Sequence, residues 1–114
     1  MDIQRINPRE WNCNAAVFGD LVFLSGMVAD DKSLDMKGQT AQVLKKIDAV
    51  LAQAGSNKSR ILSATVYMAD ASLKDDMNES WMAWVDRGNL PTRTAIGAVL
   101  TPGTMVEITV FAAK

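Results

Sequence analysis

Residues 38–69, GQTAQVLKKIDAVLAQAGSNKSRILSATVYMA, change their apolar period from helical to alternating part-way along, and that switch decides the fold class. Val43, Leu44, Ile47, Val50, Leu51 and Ala54 recur at three- and four-residue steps, while Lys45, Lys46, Asp48 and Gln53 fall elsewhere on the wheel. The spacing predicts an amphipathic helix from about Gly38 to Ala54, ended by Gly55, since glycine takes up the left-handed backbone of a helix stop at little steric cost. Leu62, Ala64, Val66 and Met68 then alternate with Ser63, Thr65 and Tyr67. That period predicts a half-buried strand over 61–69.

On the N-terminal side, AAVFGDLVFLSGMV (15–28) reads as two apolar segments broken by Gly19-Asp20, a dipeptide suited to a tight hairpin turn. Asp2 to Ile6 supplies an edge strand before Asn7-Pro8, where the residue ahead of proline is pushed out of the helical region. On the C-terminal side, Ser72 has Asp75 three residues on, the spacing of a capping box, and Leu73, Met77, Trp81, Trp84 and Val85 follow at helical intervals. A second helix is predicted from there to Gly88, its tryptophans packed in the core rather than caging a ligand. Beyond Pro91, strands over 93–100 and 104–112 flank the turn Thr101-Pro102-Gly103. The order β, β-hairpin, α, β, α, β, β implies an α+β layer: a mixed β-sheet with two helices packed on one face.

Composition narrows the function. The 114 residues, 48% hydrophobic and 22% charged, suit one domain with a continuous core, and so small a domain gains stability by associating with copies of itself. The net charge is -1 and the twelve Lys and Arg are scattered without a run, which argues against nucleic acid as a partner, because neutralising phosphates needs clustered cations. No apolar run approaches the roughly 20 residues that span a bilayer, so no membrane partner is expected and a cytoplasmic location is. The single Cys13 can form no internal disulfide, in keeping with a reducing compartment. The sequence has no histidine, which excludes Ser-His-Asp and Cys-His catalysis and histidine-ligated zinc or iron. Neither metal nor cofactor is expected. Chemistry is left to carboxylates, Arg, Lys, backbone groups and water.

Two residues stand out on that short list. Glu107 is the only charge inside the apolar, β-branched stretch Met105 to Ala112; Val106, Ile108, Val110 and Ala112 take one face, and Glu107 shares the other with Met105, Thr109 and Phe111. A glutamate on solvent is unremarkable, whereas one facing a cleft is suited to activating water. Arg93 heads the preceding strand, with Ala95 and Gly97 on its face. If the last two strands pair as a hairpin about Pro102-Gly103, Gly97 lies opposite Glu107, and Arg93 falls on the same face about 13 Å along the strands. A small carboxylate ligand then fits between cation and glutamate; the plainer alternative for Arg93 is an exposed side chain or a weak salt bridge.

Five segments together resemble the Rid (YjgF-type) family almost end to end: Leu21-Val-Phe-Leu-Ser-Gly26, Gln39-Thr-Ala-Gln-Val-Leu44, Ser63-Ala-Thr-Val-Tyr-Met-Ala-Asp70, Pro91-Thr-Arg-Thr-Ala95 and Val106-Glu-Ile108. The last two form the specific signature, a Pro-x-Arg followed about fourteen residues later by a glutamate between hydrophobic residues. The resemblance implies a chorismate-mutase-like fold and a homotrimer whose sheets line a central barrel, with sites at subunit interfaces. It also implies hydrolytic deamination of enamine and imine intermediates of the 2-iminobutanoate/2-iminopropanoate type to 2-oxo acids and ammonia. By position, Arg93 takes the family role of gripping the substrate carboxylate, and Glu107 that of orienting the attacking water. Gly26 supplies a backbone amide near the ligand and Ala95 a backbone carbonyl near the water. Family deaminases usually carry cysteine where this chain has Ala95, which leaves a backbone role there and no thiol role. Their upstream tyrosine has no clear counterpart; Trp11 and Asn12 are nearest. Binding of small carboxylates without catalysis is the alternative, and ribonuclease activity, ascribed to some relatives, fits least well in a chain without histidine or a basic groove.

Overall fold

In the computed structural model, which describes residues 1–114, seven strands form one sheet and two helices cover one of its faces. The strands are β1 (Ile3–Ile6), β2 (Ala15–Phe18), β3 (Leu21–Leu24), β4 (Met27–Val28), β5 (Ile61–Met68), β6 (Thr92–Gly97) and β7 (Val106–Ala113). Helix α1 (Met36–Gln53) lies between β4 and β5, and α2 (Lys74–Trp84) between β5 and β6. The spatial order is β1-β2-β3-β7-β5-β6, with β4 continuing alongside β7. Every pairing is antiparallel except β5 with β6. The mixed sheet with helices on one face is the architecture expected from the sequence.

Helix α1 starts two residues ahead of the apolar period because Asp35 caps it, its Oδ1 accepting from the Gly38 amide at 2.9 Å. Its apolar stripe Val43, Leu44, Ile47, Val50 and Leu51 is buried. Gln39, on the same face, is fully buried. Its Nε2 reaches the carbonyls of Lys32, Leu34 and Gly103, and its Oε1 accepts from the Met105 amide at 3.0 Å. One side chain thereby ties the entry to α1 to the turn before β7.

The second helix departs from expectation at both ends. Asp70, two residues upstream of Ser72, accepts from the Ser72 amide and hydroxyl and caps a short 3-10 turn, Ala71–Leu73, so the Ser72 side chain is spent on Asp70 rather than on the helix. At the far end Val85 is extended and Asp86 gathers the Gly88 amide, the Asn89 side chain and the Ser59 hydroxyl, ending the helix at Trp84 instead of Gly88. The tryptophans pack as core: Trp81 is buried, Trp84 partly so, with ring centroids 5.5 Å apart.

Val106, Ile108, Val110 and Ala112 of β7 and Ala64, Val66 and Met68 of β5 all face the helices and are buried. Each of the buried Val, Ile and Met side chains contributes roughly 1.5–3 kcal/mol. Leu62 breaks the alternation. The register shifts between Ile61 and Ser63, leaving Leu62 as the extra residue of a bulge and turning it to solvent, 50% exposed, while Ile61 takes the inward position. The opposite face carries no helix. Ile3, Phe18, Leu21, Phe23, Ile96 and Phe111 stand exposed there, Phe23 and Phe111 meeting edge-to-face at 5.1 Å.

The last two strands do not pair with one another. β5, which precedes both in the chain, lies between them. After β6 the chain rounds the end of β5, the Ala98 amide donating to the Met68 carbonyl and the Ala69 amide to the Met105 carbonyl, both at 2.9 Å. The turn at Gly103, with φ of 84°, therefore redirects a crossover and does not close a hairpin.

Candidate functional site

Glu107 is partly buried on the helix-free face, opposite Tyr67 of β5 and Val28 of β4 in the ladders. Gly26 adjoins it because of a bulge: between the pairs Phe23–Phe111 and Met27–Ile108, residues 24, 25 and 26 oppose only 109 and 110. A Cβ at position 26 would run into the Glu107 carboxylate, with Cδ at 3.0 Å and Cγ at 3.2 Å. Glycine is needed here for room, since the Gly26 backbone is not among the positive-φ residues. Glu107 enters no salt bridge within the chain. Nearby, Thr109 Oγ1 donates to the Leu24 carbonyl at 2.8 Å and holds β3 against β7.

Arg93 lies elsewhere. On β6 it pairs with Ala64, whose partner on β7 is Val110, and both of those point toward the helices. Its guanidinium packs over the Trp81 ring, 5.1 Å from the centroid, with one Nη 3.9 Å from the Met77 sulfur. No carboxylate of the chain pairs with it. Burial holds its pKa below the usual arginine value, although a guanidinium remains a cation. It opens onto a cavity of about 350 Å³ lined also by Asn78, Trp81, Met82, Leu90 and Pro91. Ala95, two residues on, shares the Arg93 face and packs against the core.

The expected convergence of Arg93 and Glu107 in one chain is therefore corrected. Gly26 and Glu107 are together on the bare face; Arg93 and Ala95 are together on the helix side of the edge strand. Gly97 is not opposite Glu107, for its ladder partner is Met68. The insertion of β5 reverses the face relation that a hairpin would have set. Sequence reading also missed Asn78, Met82 and Leu90. Nothing in their spacing marks a site: Asn78 and Met82 reach Arg93 from α2, and Leu90 from the segment between α2 and β6.

A second concavity, of about 290 Å³, lies between α1 and α2, and Asp48, Lys58 and Ser80 of its lining are each hydrogen-bonded within the chain, while Lys45 is exposed. Trp84 Nε1 donates to Asp48 at 2.9 Å, and Lys58 Nζ donates to the Trp84 carbonyl while lying 5.6 Å from the ring centroid. The adjacent Asp30 and Asp31 are surface residues: Asp30 pairs with Lys46, and Asp31 accepts from Ser33. No helix is long and apolar enough to cross a membrane.

A mixed sheet of this order with two helices on one face is the chorismate-mutase-like fold. The family model described as Endoribonuclease L-PSP matches residues 3–114, and the chain belongs to that family, which also carries the names YjgF, RutC and Rid. A RutC family protein of Haemophilus ducreyi is 41% identical over 112 residues, covering 97% of this chain and 96% of its own. The RutC family protein YoaB of Escherichia coli is 38% identical over 114 residues, covering 99% of each. Among solved structures, a YjgF family member from Neisseria meningitidis superposes with a TM-score of 0.97 at 38% identity, over 100% of this chain and 96% of that one. The Rid family protein YyfA of Yersinia pestis does so with a TM-score of 0.86 at 28% identity, over 94% and 90%.

Proposed function

We propose that this protein hydrolyses small imines bearing a carboxylate to 2-oxo acids and ammonia, at sites assembled from two copies of the chain. One observation carries the reading: Arg93 is a partly desolvated guanidinium with an open cavity before it and no anion of its own chain beside it. A planar carboxylate satisfies such a cation with two parallel hydrogen bonds. Glu107 and Gly26 lie on the other face, so a ligand touching all of them must sit between one copy's β6 edge and another copy's bare face. The exposed aromatics of that face support self-association, and family membership supports a homotrimer.

In the composite site Arg93 fixes the carboxylate, which presents the adjacent imine carbon. Glu107 accepts a proton from water and directs the oxygen onto that carbon, with the Ala95 carbonyl as a second acceptor and the Gly26 amide as a donor to the ligand. As the C–O bond forms, the proton held by Glu107 passes to the imine nitrogen and gives a carbinolamine; its collapse transfers the hydroxyl proton to nitrogen, breaks C–N and releases ammonia, so water and imine become 2-oxo acid and ammonia. A reducing cytoplasm, where such intermediates arise, is the fitting location. Ribonuclease chemistry has less support, since the ladder and face neighbours of Glu107 are Val28, Tyr67, Thr65, Thr109 and Phe111, which form no cationic groove for phosphates.

The test is complementation. Arg93→Ala and Glu107→Gln should each abolish accelerated 2-oxo acid release from a dehydratase acting on serine or threonine. Unfolding and refolding the two together should restore about a quarter of the wild-type rate, the share of interfaces that random mixing leaves intact. No recovery in mixed trimers would place both residues in one copy's site or in none. Saturable, Arg93-dependent binding of 2-oxobutanoate without turnover would favour the binding-protein alternative.

A further inference from the structure

The cavity beside Arg93 is mostly apolar. Arg93 supplies the only charge and Asn78 the only amide, the Trp81 indole carries a single N–H, and Met82, Leu90 and Pro91 make up the rest. Its volume of about 350 Å³ falls within the roughly 300–1,000 Å³ of small-molecule sites. Leu90 is 65% exposed and Met82 43%, with no hydrophobic partner of their own chain closing over them. Within this chain, a ligand of three or four carbons held at the guanidinium leaves this wall uncovered. A longer apolar tail would dry it.

We infer that the site selects 2-imino acids with bulky apolar side chains, of the kind derived from leucine, methionine or phenylalanine, over the three- and four-carbon imines, and that Met82 and Leu90 set this preference. The inference rests on the reading of Arg93 as the carboxylate anchor. The ligand then lies with its carboxylate on the guanidinium and its tail along Met82, Leu90 and Pro91, while the indole of Trp81 supports both. Each methylene moved from water onto such a wall strengthens binding by about fourfold. Asn78 tolerates the polar sulfur of a methionine-like tail but offers no counter-ion, so acidic tails are disfavoured.

Calorimetric titration with unreactive 2-oxo acids separates this selectivity from catalysis. Pyruvate, 2-oxobutanoate, 4-methyl-2-oxopentanoate and phenylpyruvate should bind with rising affinity, the last two roughly tenfold or more tighter than pyruvate. Leu90→Ser with Met82→Ser, both surface positions that leave the core intact, should level the series. In parallel, imines made from the matching amino acids by an amino-acid oxidase report hydrolysis, read by trapping the remaining imine with semicarbazide. Equal affinities across the series overturn the inference even if every imine is hydrolysed. Graded affinity without hydrolysis upholds it and overturns the deaminase reading. Binding of none overturns the inference, and if no imine is hydrolysed either, the deaminase reading falls with it.

Discussion

Along β7, Val106, Ile108, Val110 and Ala112 are sealed beneath the helices, while Glu107, Thr109 and Phe111 between them stand on a face no helix reaches. The covered side is uniformly aliphatic, as a surface must be when its only task is to exclude water. The bare side mixes phenylalanines, hydroxyls and one carboxylate. That mixture suits a surface that packs against something outside the chain and also leaves a polar group accessible. A single strand thus carries two records, and the difference between them points to where function lies.

The sharpest way to break this contrast is on the covered side. Ile108→Ala should cost about 3 kcal/mol in urea-induced unfolding, within the 2–5 kcal/mol usual for buried Ile to Ala; a cost below about 1 kcal/mol would mean the layer is loosely packed. On the bare side, Gly26→Ala should spare the fold, because the added Cβ meets the movable end of the Glu107 side chain rather than backbone. Displacing that carboxylate should lower kcat for imine hydrolysis roughly 10–100-fold with no change in unfolding midpoint. Full activity would show that Glu107 does not act from this position. Phe111→Ser removes the edge-to-face contact with Phe23, worth about 1 kcal/mol beyond its area, and should shift sedimentation toward smaller species while the circular dichroism of the monomer persists.

The smallest effect lies away from both faces. Hydrogen bonds from the Ser72 hydroxyl, and then its amide, hold the Asp70 carboxyl below its ordinary pKa. A group whose folded pKa is depressed stabilises above its unfolded value and loses that contribution as pH falls through the folded one. Asp70→Asn should therefore lower stability at neutral pH slightly and flatten the acid limb of the stability profile below the usual carboxylate range. An unchanged acid limb would mean the cap carries no linkage.

Much of this was legible in the sequence where periodicity is local. The buried faces of α1, β5 and β7 follow from Val43 to Leu51, Ala64 to Met68 and Val106 to Ala112, because each element announces its own buried side. Three local errors came from competing short-range chemistry: Asp70 engages the Ser72 amide and hydroxyl so that no side chain caps α2, Asp86 ends α2 at Trp84 rather than Gly88, and the bulge at Leu62 inverts one position. The larger error was non-local. Thr101-Pro102-Gly103 between two apolar runs looks like a hairpin turn, and nothing in it reveals that β5 is already lodged between them. Arg93 and Glu107 were thus identifiable one at a time, while their placement on opposite faces depends on the order of strands in the sheet.

Gln39 carries a further consequence. Its amide is fully buried and bound to the entry of α1, to Gly103 and to Met105, so freeing any one of these segments strands polar atoms in an apolar interior. The three should accordingly open as one cooperative unit, and their backbone amides should exchange with deuterium at a shared rate.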